Sequence, residues 1–397
     1  MSVRSRVAVL LFTACLQAGR FGLDRFGINI GLFGEPRWWL IAMLLGTVLL
    51  APAQVLWSGR LKLFYVSLLL YLSFVITSAL WTPDADRALE QIEDIPLLIL
   101  LMGSMPLVFG ENPQASVQFF LKLLYWIATL FGVLGLVMGS RAADGRLSVL
   151  GGGPNVYARI MEMGVFAAIY LWTRTGKVRW LITIPFLCAA AVLSGSRGGI
   201  ISLLAGVGVL MLTTQKPGRL LKFVAVMMIL SALPIYLYAD RLEMIVATRF
   251  VETYQKQNIG GREFIYPHAV DTFKKHVLVG AGVDGFRQTG GAGLFYAHNM
   301  FLEVAAEGGL VGLALMFSVL LQCGSAFRHS VSLEGKVMAG TFVALFLSQM
   351  TSGTYYDARQ MWTSAMLAVM LVPVELHALQ PRSTLLNPPP MMSASRN

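Results

Sequence analysis

Apolar runs of roughly 17 to 25 residues, long enough to cross a bilayer, recur along nearly the whole of this 397-residue chain. Composition supports the same reading, with 56% hydrophobic residues, 13% charged residues and a mean hydropathy of +0.66. The expected fold is all-α, a polytopic membrane protein. Runs at 7–19, 38–57, 61–81, 88–109, 115–138, 155–172, 178–193, 198–213, 220–239, 298–322, 336–352 and 361–379 give about 12 transmembrane helices. An even number puts both termini on one side. The first run, preceded by Arg4 and Arg6, could pass for a signal peptide, and the residues up to Cys15 faintly resemble a lipoprotein cleavage site. A short apolar region before Cys15 and the many later spans favour an uncleaved first helix.

The formal charge of +10 would fit a nucleic-acid partner, so its distribution matters more than its sum. With both ends in the cytoplasm, 15 of the 31 lysines and arginines fall on the inner side, against three acids, Glu111, Glu334 and Glu375. That asymmetry is the orientation signal of membrane proteins, and nucleic-acid binding loses its main support. The domain reading is helices over 1–239, an outer loop over 240–297, further helices over 298–380 and a disordered inner tail over 381–397. Cys15, Cys188 and Cys323 all lie in apolar runs without metal-ligand spacing and read as packing residues.

The outer loop is the one long hydrophilic segment. Residues 240–257 mix apolar and charged positions at helical spacing, as in a helix lying on the interface. Residues 258–261 read as a turn, and 262–277 as a second helix interrupted near Pro267. Gly280-Ala-Gly282-Val-Asp284-Gly285 matches the dinucleotide pattern GxGxxG, but no strand of a βαβ unit precedes it, and no cofactor is expected.

Three residue classes could carry chemistry. Arg197, between Ser196 and Gly198, occupies a connection only a few residues long. It is either an interfacial arginine reaching phospholipid headgroups or a phosphate ligand made approachable by small neighbours. Arg262 follows Gly260-Gly261 in the same way. Two guanidinium groups converging on one point can hold a phosphate bidentately and neutralise charge growing on a leaving diphosphate. His298 stands at a helix start, where it either caps or serves as a general base, and glycines at 308, 309 and 312 give the helix a face for close packing. Glu303 and Glu307 share a helical face and read as orienting groups, while Glu93, Asp94, Arg159 and Glu162 are accounted for by pairing inside the bundle. Asp84-Ala-Asp86 has the form of a metal-binding pair, common by chance in an outer loop.

His298-Asn299, nine residues, Gly309, two residues and Gly312 resemble the signature of the bacterial O-antigen ligase, O-antigen polymerase and protein O-oligosaccharyltransferase superfamily. Gly153-Pro154-Asn155, Ser196-Arg197-Gly198, Gly260-Gly261-Arg262 and Gly280-Ala-Gly282-Val agree in order. The resemblance implies an inner-membrane, GT-C-like glycosyltransferase that moves a glycan from undecaprenyl diphosphate to an acceptor hydroxyl on the periplasmic side. Carried over, Arg197 and Arg262 hold the diphosphate and His298 is the base, with no metal, which argues against Asp84 and Asp86 as a catalytic site. Asn299, Arg287 and Arg359 are further substrate-binding candidates. The expected reaction is ligation to lipid A-core. A polymerase using a second lipid-linked repeat is the alternative within the family, with protein glycosylation third, and a secondary transporter the alternative outside it.

Overall fold

A computed structural model describes residues 1–19, 22, 30–50, 57–141, 146–149, 152–213, 218, 236, 262–289, 296–356 and 358–379. Within them lie α1 (Val3–Ala18), α2 (Pro36–Leu49), α3 (Gly59–Thr77), α4 (Ala85–Ile92), α5 (Asp94–Phe109), α6 (Pro113–Met138), α7 (Pro154–Thr175), α8 (Arg179–Leu193) and α9 (Arg197–Thr213). Further along the chain come α10 (Arg262–Lys275), α11 (Gly285–Thr289), α12 (Met300–Arg328), α13 (Leu333–Thr351) and α14 (Arg359–Leu379). The described strands are two residues each, Ser140–Arg141 paired antiparallel with Leu147–Ser148. Eleven of the twelve apolar runs coincide with helices. The run at 220–239, the amphipathic reading of 240–257, the turn at 258–261 and the tail 381–397 fall outside the described residues.

By length and composition, four helical stretches among the described residues can cross a membrane: Gly59–Leu80, Ala85–Phe109, Pro113–Met138 and Met300–Arg328. Their exposed side is apolar, as lipid requires. On α6, Trp126, Leu130, Val133 and Val137 form one exposed stripe at helical spacing. In contrast α7 is buried without interruption from Tyr157 to Leu171, enclosed by α6, α8, α9 and α13. Glycine lets α9 and α13 touch backbone to backbone, since a Cβ on Gly206 would lie 2.6 Å from the Gly340 carbonyl oxygen. The expected pairing of acids inside the bundle holds at Asp94, which meets Arg37 in a buried ion pair between α5 and α2. Arg159 acts electrostatically on Glu162 and also reaches across to α13.

The structure changes two expectations. Helix α10 runs through Pro267 without interruption, although proline there loses one backbone bond and crowds the carbonyl four residues back; packing against α12 holds the helix together across it. The run beginning at residue 298 is not one helix, for Gly309 adopts φ 60° and ψ −155° and breaks α12. The loop over 277–282 fills that break. Leu310 N and Val311 N donate to the carbonyls of Val277 and Leu278 at 2.8 and 3.0 Å, while Ala281 N and Gly282 N donate to those of Ala306 and Glu307 at 2.9 and 3.0 Å. The broken turn thus recovers its hydrogen bonds from another segment. Gly280 is pressed so close that a Cβ would sit 2.1 Å from the Glu307 carbonyl carbon. The GxGxxG match is therefore a packing device. Beyond the break, the 19 residues from Leu310 to Arg328 extend about 28 Å at 1.5 Å per residue, nearly the thickness of a bilayer core.

Candidate functional site

At one end of the bundle several helix termini converge on a cleft of about 150 Å³. The α6–α7 connection supplies Arg146, the first turn of α7 Asn155, and the α8–α9 turn Gly195, Ser196, Arg197 and Gly198. Arg262 opens α10, His298 stands two residues before α12, and Thr351 with Ser352 ends α13. The sequence leads one to expect these ends on the outer side.

Local chemistry explains how the turn presents Arg197. Gly195 takes φ 64°, a conformation natural to glycine, and the Ser196 hydroxyl accepts from Gly199 N at 3.2 Å, capping α9. Arg197 is then the first residue of the helix, where unpaired N–H groups and the dipole favour an anion. Gly198 admits α13, since a Cβ there would fall 1.9 Å from Thr351 Oγ1.

The arginines are held from behind. Arg146 donates to Asn155 Oδ1 at 2.9 Å and to the Ser194 carbonyl at 3.0 Å. Asn155 in turn donates to the Ser352 hydroxyl. Arg262 donates to the Thr351 carbonyl at 2.5 Å. Buried Arg159 donates to the Ser348 hydroxyl at 3.1 Å and to the Ser352 carbonyl. The C-terminus of α13 is thereby gripped from α7 and from α10, and the cationic groups are registered on it. Arg146 and Arg262 both act electrostatically on Arg197, and no carboxylate is among the described residues lining the cleft. Three guanidinium groups gathered around one such cleft make a site for a multiply charged anion.

His298 adopts φ 54°, so its backbone is in the left-handed region. Its ring lies against Tyr296 with centroids 4.0 Å apart, and its Nδ1 has no hydrogen-bond partner among the described residues. Burial, and then the charge of Arg262, push the imidazole pKa down to about 4. At neutral pH the ring is uncharged and able to accept a proton.

Arg197, Arg262 and His298, all singled out by sequence pattern, thus line one cleft. The other candidates lie elsewhere. The Asn299 side chain caps α12, accepting from Phe301 N at 3.0 Å and Leu302 N at 3.1 Å. Glu303 and Glu307 are buried and are not among the residues lining the cleft, with the Tyr355 hydroxyl donating to Glu307 at 2.7 Å. Arg287 sits on α11 beside Asp284, and buried Arg359 opens α14 near Gly19 of the first helix. Asp84 accepts from Arg87 N at 3.2 Å as the start of α4, with Asp86 in its first turn. Arg146 was not among the sequence candidates. Its available signal is the one that selected Arg197, an outer-side arginine next to glycine. Thr351 and Ser352 carry no such signal, because Arg262 and Arg159 use their backbone carbonyls.

Residues 181–317 match the family model described as O-antigen ligase. No curated protein matches the chain. The matched segment holds Arg197, Arg262, His298 and the Gly309 break, and it supports the resemblance to the O-antigen ligase superfamily.

Proposed function

We propose that the cleft is the active site of an inner-membrane O-antigen ligase, with the glycan donor carried on undecaprenyl diphosphate and a lipid A-core sugar as acceptor. In this reading the donor diphosphate lies among Arg197, Arg262 and Arg146, with the N-terminus of α9 behind Arg197. His298 accepts the proton of the acceptor hydroxyl, whose oxygen attacks the anomeric carbon. The bond from that carbon to the diphosphate oxygen breaks, the electron pair leaves with the diphosphate, and configuration inverts. Charge grows on the leaving group where the guanidinium groups are already oriented, the arrangement that lowers a barrier most effectively. No step requires a metal. About twelve spans in a GT-C-like arrangement, both termini cytoplasmic and the cleft periplasmic, complete the reading.

The observation that carries it is the convergence of His298 with Arg197 and Arg262, drawn from three separate stretches into one cleft. The family match supports transfer of the ligase or polymerase type. A transporter would place its polar groups near mid-membrane, whereas these gather at one end. The test is the lipopolysaccharide of a deletion strain. Loss of all attached polymer with accumulation of lipid-linked polymer is expected, while core bearing a single repeat would identify a polymerase.

A further inference from the structure

At the end of α10 the chain reads Lys274-Lys275-His276-Val277-Leu278-Val279, six consecutive exposed residues. Val277, Leu278 and Val279 are 41%, 68% and 43% exposed, three adjacent apolar side chains turned outward. Their position is fixed by the Gly309 break, where Leu310 and Val311 donate to the carbonyls of Val277 and Leu278. Leu310 and Val311 are themselves exposed and begin a stripe continued by Phe317 and Leu321 along α12. On a helix apolar and long enough to cross a membrane, that stripe meets lipid. The apolar triplet therefore extends a lipid-facing surface at its outer end, and the basic triplet stands just beyond it.

We propose that residues 274–279 anchor the outer segment in the membrane interface. Val277, Leu278 and Val279 enter the outer part of the acyl region, while Lys274, Lys275 and His276 meet the phosphates of anionic lipid headgroups. Exposed Lys274 is also 3.7 Å from exposed Asp271 one turn back, a solvated pair that leaves its ammonium accessible. The occupant is a lipid surface rather than a second copy of the chain, because two such basic clusters would repel across a symmetric contact, whereas anionic headgroups complement them. Apolar side chains at the acyl boundary with lysines at the phosphates are the arrangement of interfacial segments generally. Where the proposed ligase reading holds, the anchor also sets the height of the site. It lies between Arg262 and His298 in sequence and would keep both near the headgroup plane, where the diphosphate of a lipid-linked donor sits.

The test uses the full chain with Cys15, Cys188 and Cys323 replaced by serine, carrying Leu278→Cys labelled with an environment-sensitive fluorophore. In phosphatidylcholine and phosphatidylglycerol vesicles the label should emit at shorter wavelength than in water and be quenched several-fold more by a nitroxide on the upper acyl chain than by aqueous iodide. Full quenching by iodide with none from the lipid nitroxide overturns the proposal, as does protection from both, the mark of cover by another copy. Val277→Cys and Val279→Cys report the same contact if the variant at 278 does not fold. Lys274→Glu combined with Lys275→Glu should lower lipid quenching at 278 several-fold in the anionic vesicles and leave it unchanged in pure phosphatidylcholine. Equal quenching in both overturns the headgroup contact. None of these readings depends on glycan transfer, so failure of the ligase reading leaves them standing.

Discussion

At the scale of single residues the cleft separates charge from geometry. Arg197→Lys keeps the positive charge at the start of α9 but loses the planar fork. Transfer is expected to fall by about 10²–10³-fold if the guanidinium meets charge growing in the transition state, and kcat/KM measured on purified protein checks it. His298 adds a pH signature. Its pKa lies well below 6.5, so the neutral, proton-accepting form persists into acid, and the acidic limb of kcat/KM should lie near pH 4. A bound diphosphate adds negative charge beside the imidazole and favours its protonated form, so the limb in kcat should lie at higher pH than the limb in kcat/KM. A limb at pH 6.5 in kcat/KM would mean that His298 is solvated in the free protein. The importance of His298 and Arg197 was readable in sequence because each breaks an apolar pattern beside small residues. Arg146 sits where no apolar pattern exists to be broken, and the neighbouring glycine that is its one sequence signal is commonplace in a loop.

The elements around the site show where sequence and structure part. Most helices follow directly from apolar runs, since length and hydropathy leave a chain in lipid few alternatives. The break in α12 does not, because Gly308, Gly309 and Gly312 look alike in a hydropathy profile. Gly308 and Gly312 do form a packing face, each placing a hypothetical Cβ 3.3 Å from Phe74, while Gly309 between them has left the helix. What separates them is the loop over 277–282, distant in sequence. Gly309→Ala would put a Cβ 2.5 Å from the Leu278 carbonyl oxygen, in a backbone region open essentially to glycine alone, costing about 1–3 kcal/mol from the dihedral alone. A lowered midpoint of thermal unfolding in detergent, with loss of transfer, is expected. Arg159 acts at the same scale through the C-terminus of α13. Arg159→Gln removes the grip on Ser348 and Ser352, of which Ser352 holds Asn155 and, through it, Arg146. Its expected effect is a raised KM for the lipid-linked donor with KM for the acceptor unchanged, and Arg159→Lys should recover part of the loss. Equal changes for both substrates would assign Arg159 to the fold alone.

At the scale of the molecule, the candidate site lies at one end of the bundle formed by the described helices. The α7, α9 and α10 helices contribute their first turns and α13 its last, so a bundle of largely apolar helices presents a cationic cleft at that end. The expectation that this end faces outward rests on the scarcity of acids, three in all, among the loops of the opposite side. Which loops meet was beyond the sequence, since hydropathy gives spans but not their neighbours. The central claim is that this cleft joins a glycan to an acceptor through His298. It is tested most directly by reconstituting purified protein in vesicles with undecaprenyl-diphosphate-linked glycan and lipid A-core, in the presence of EDTA, and measuring product for the natural chain and for His298→Ala. The account expects transfer by the natural chain and a loss of about 10²–10⁴-fold in the variant, the contribution of a positioned general base. Transfer by His298→Ala at the natural rate, at equal amounts of folded protein, would contradict it.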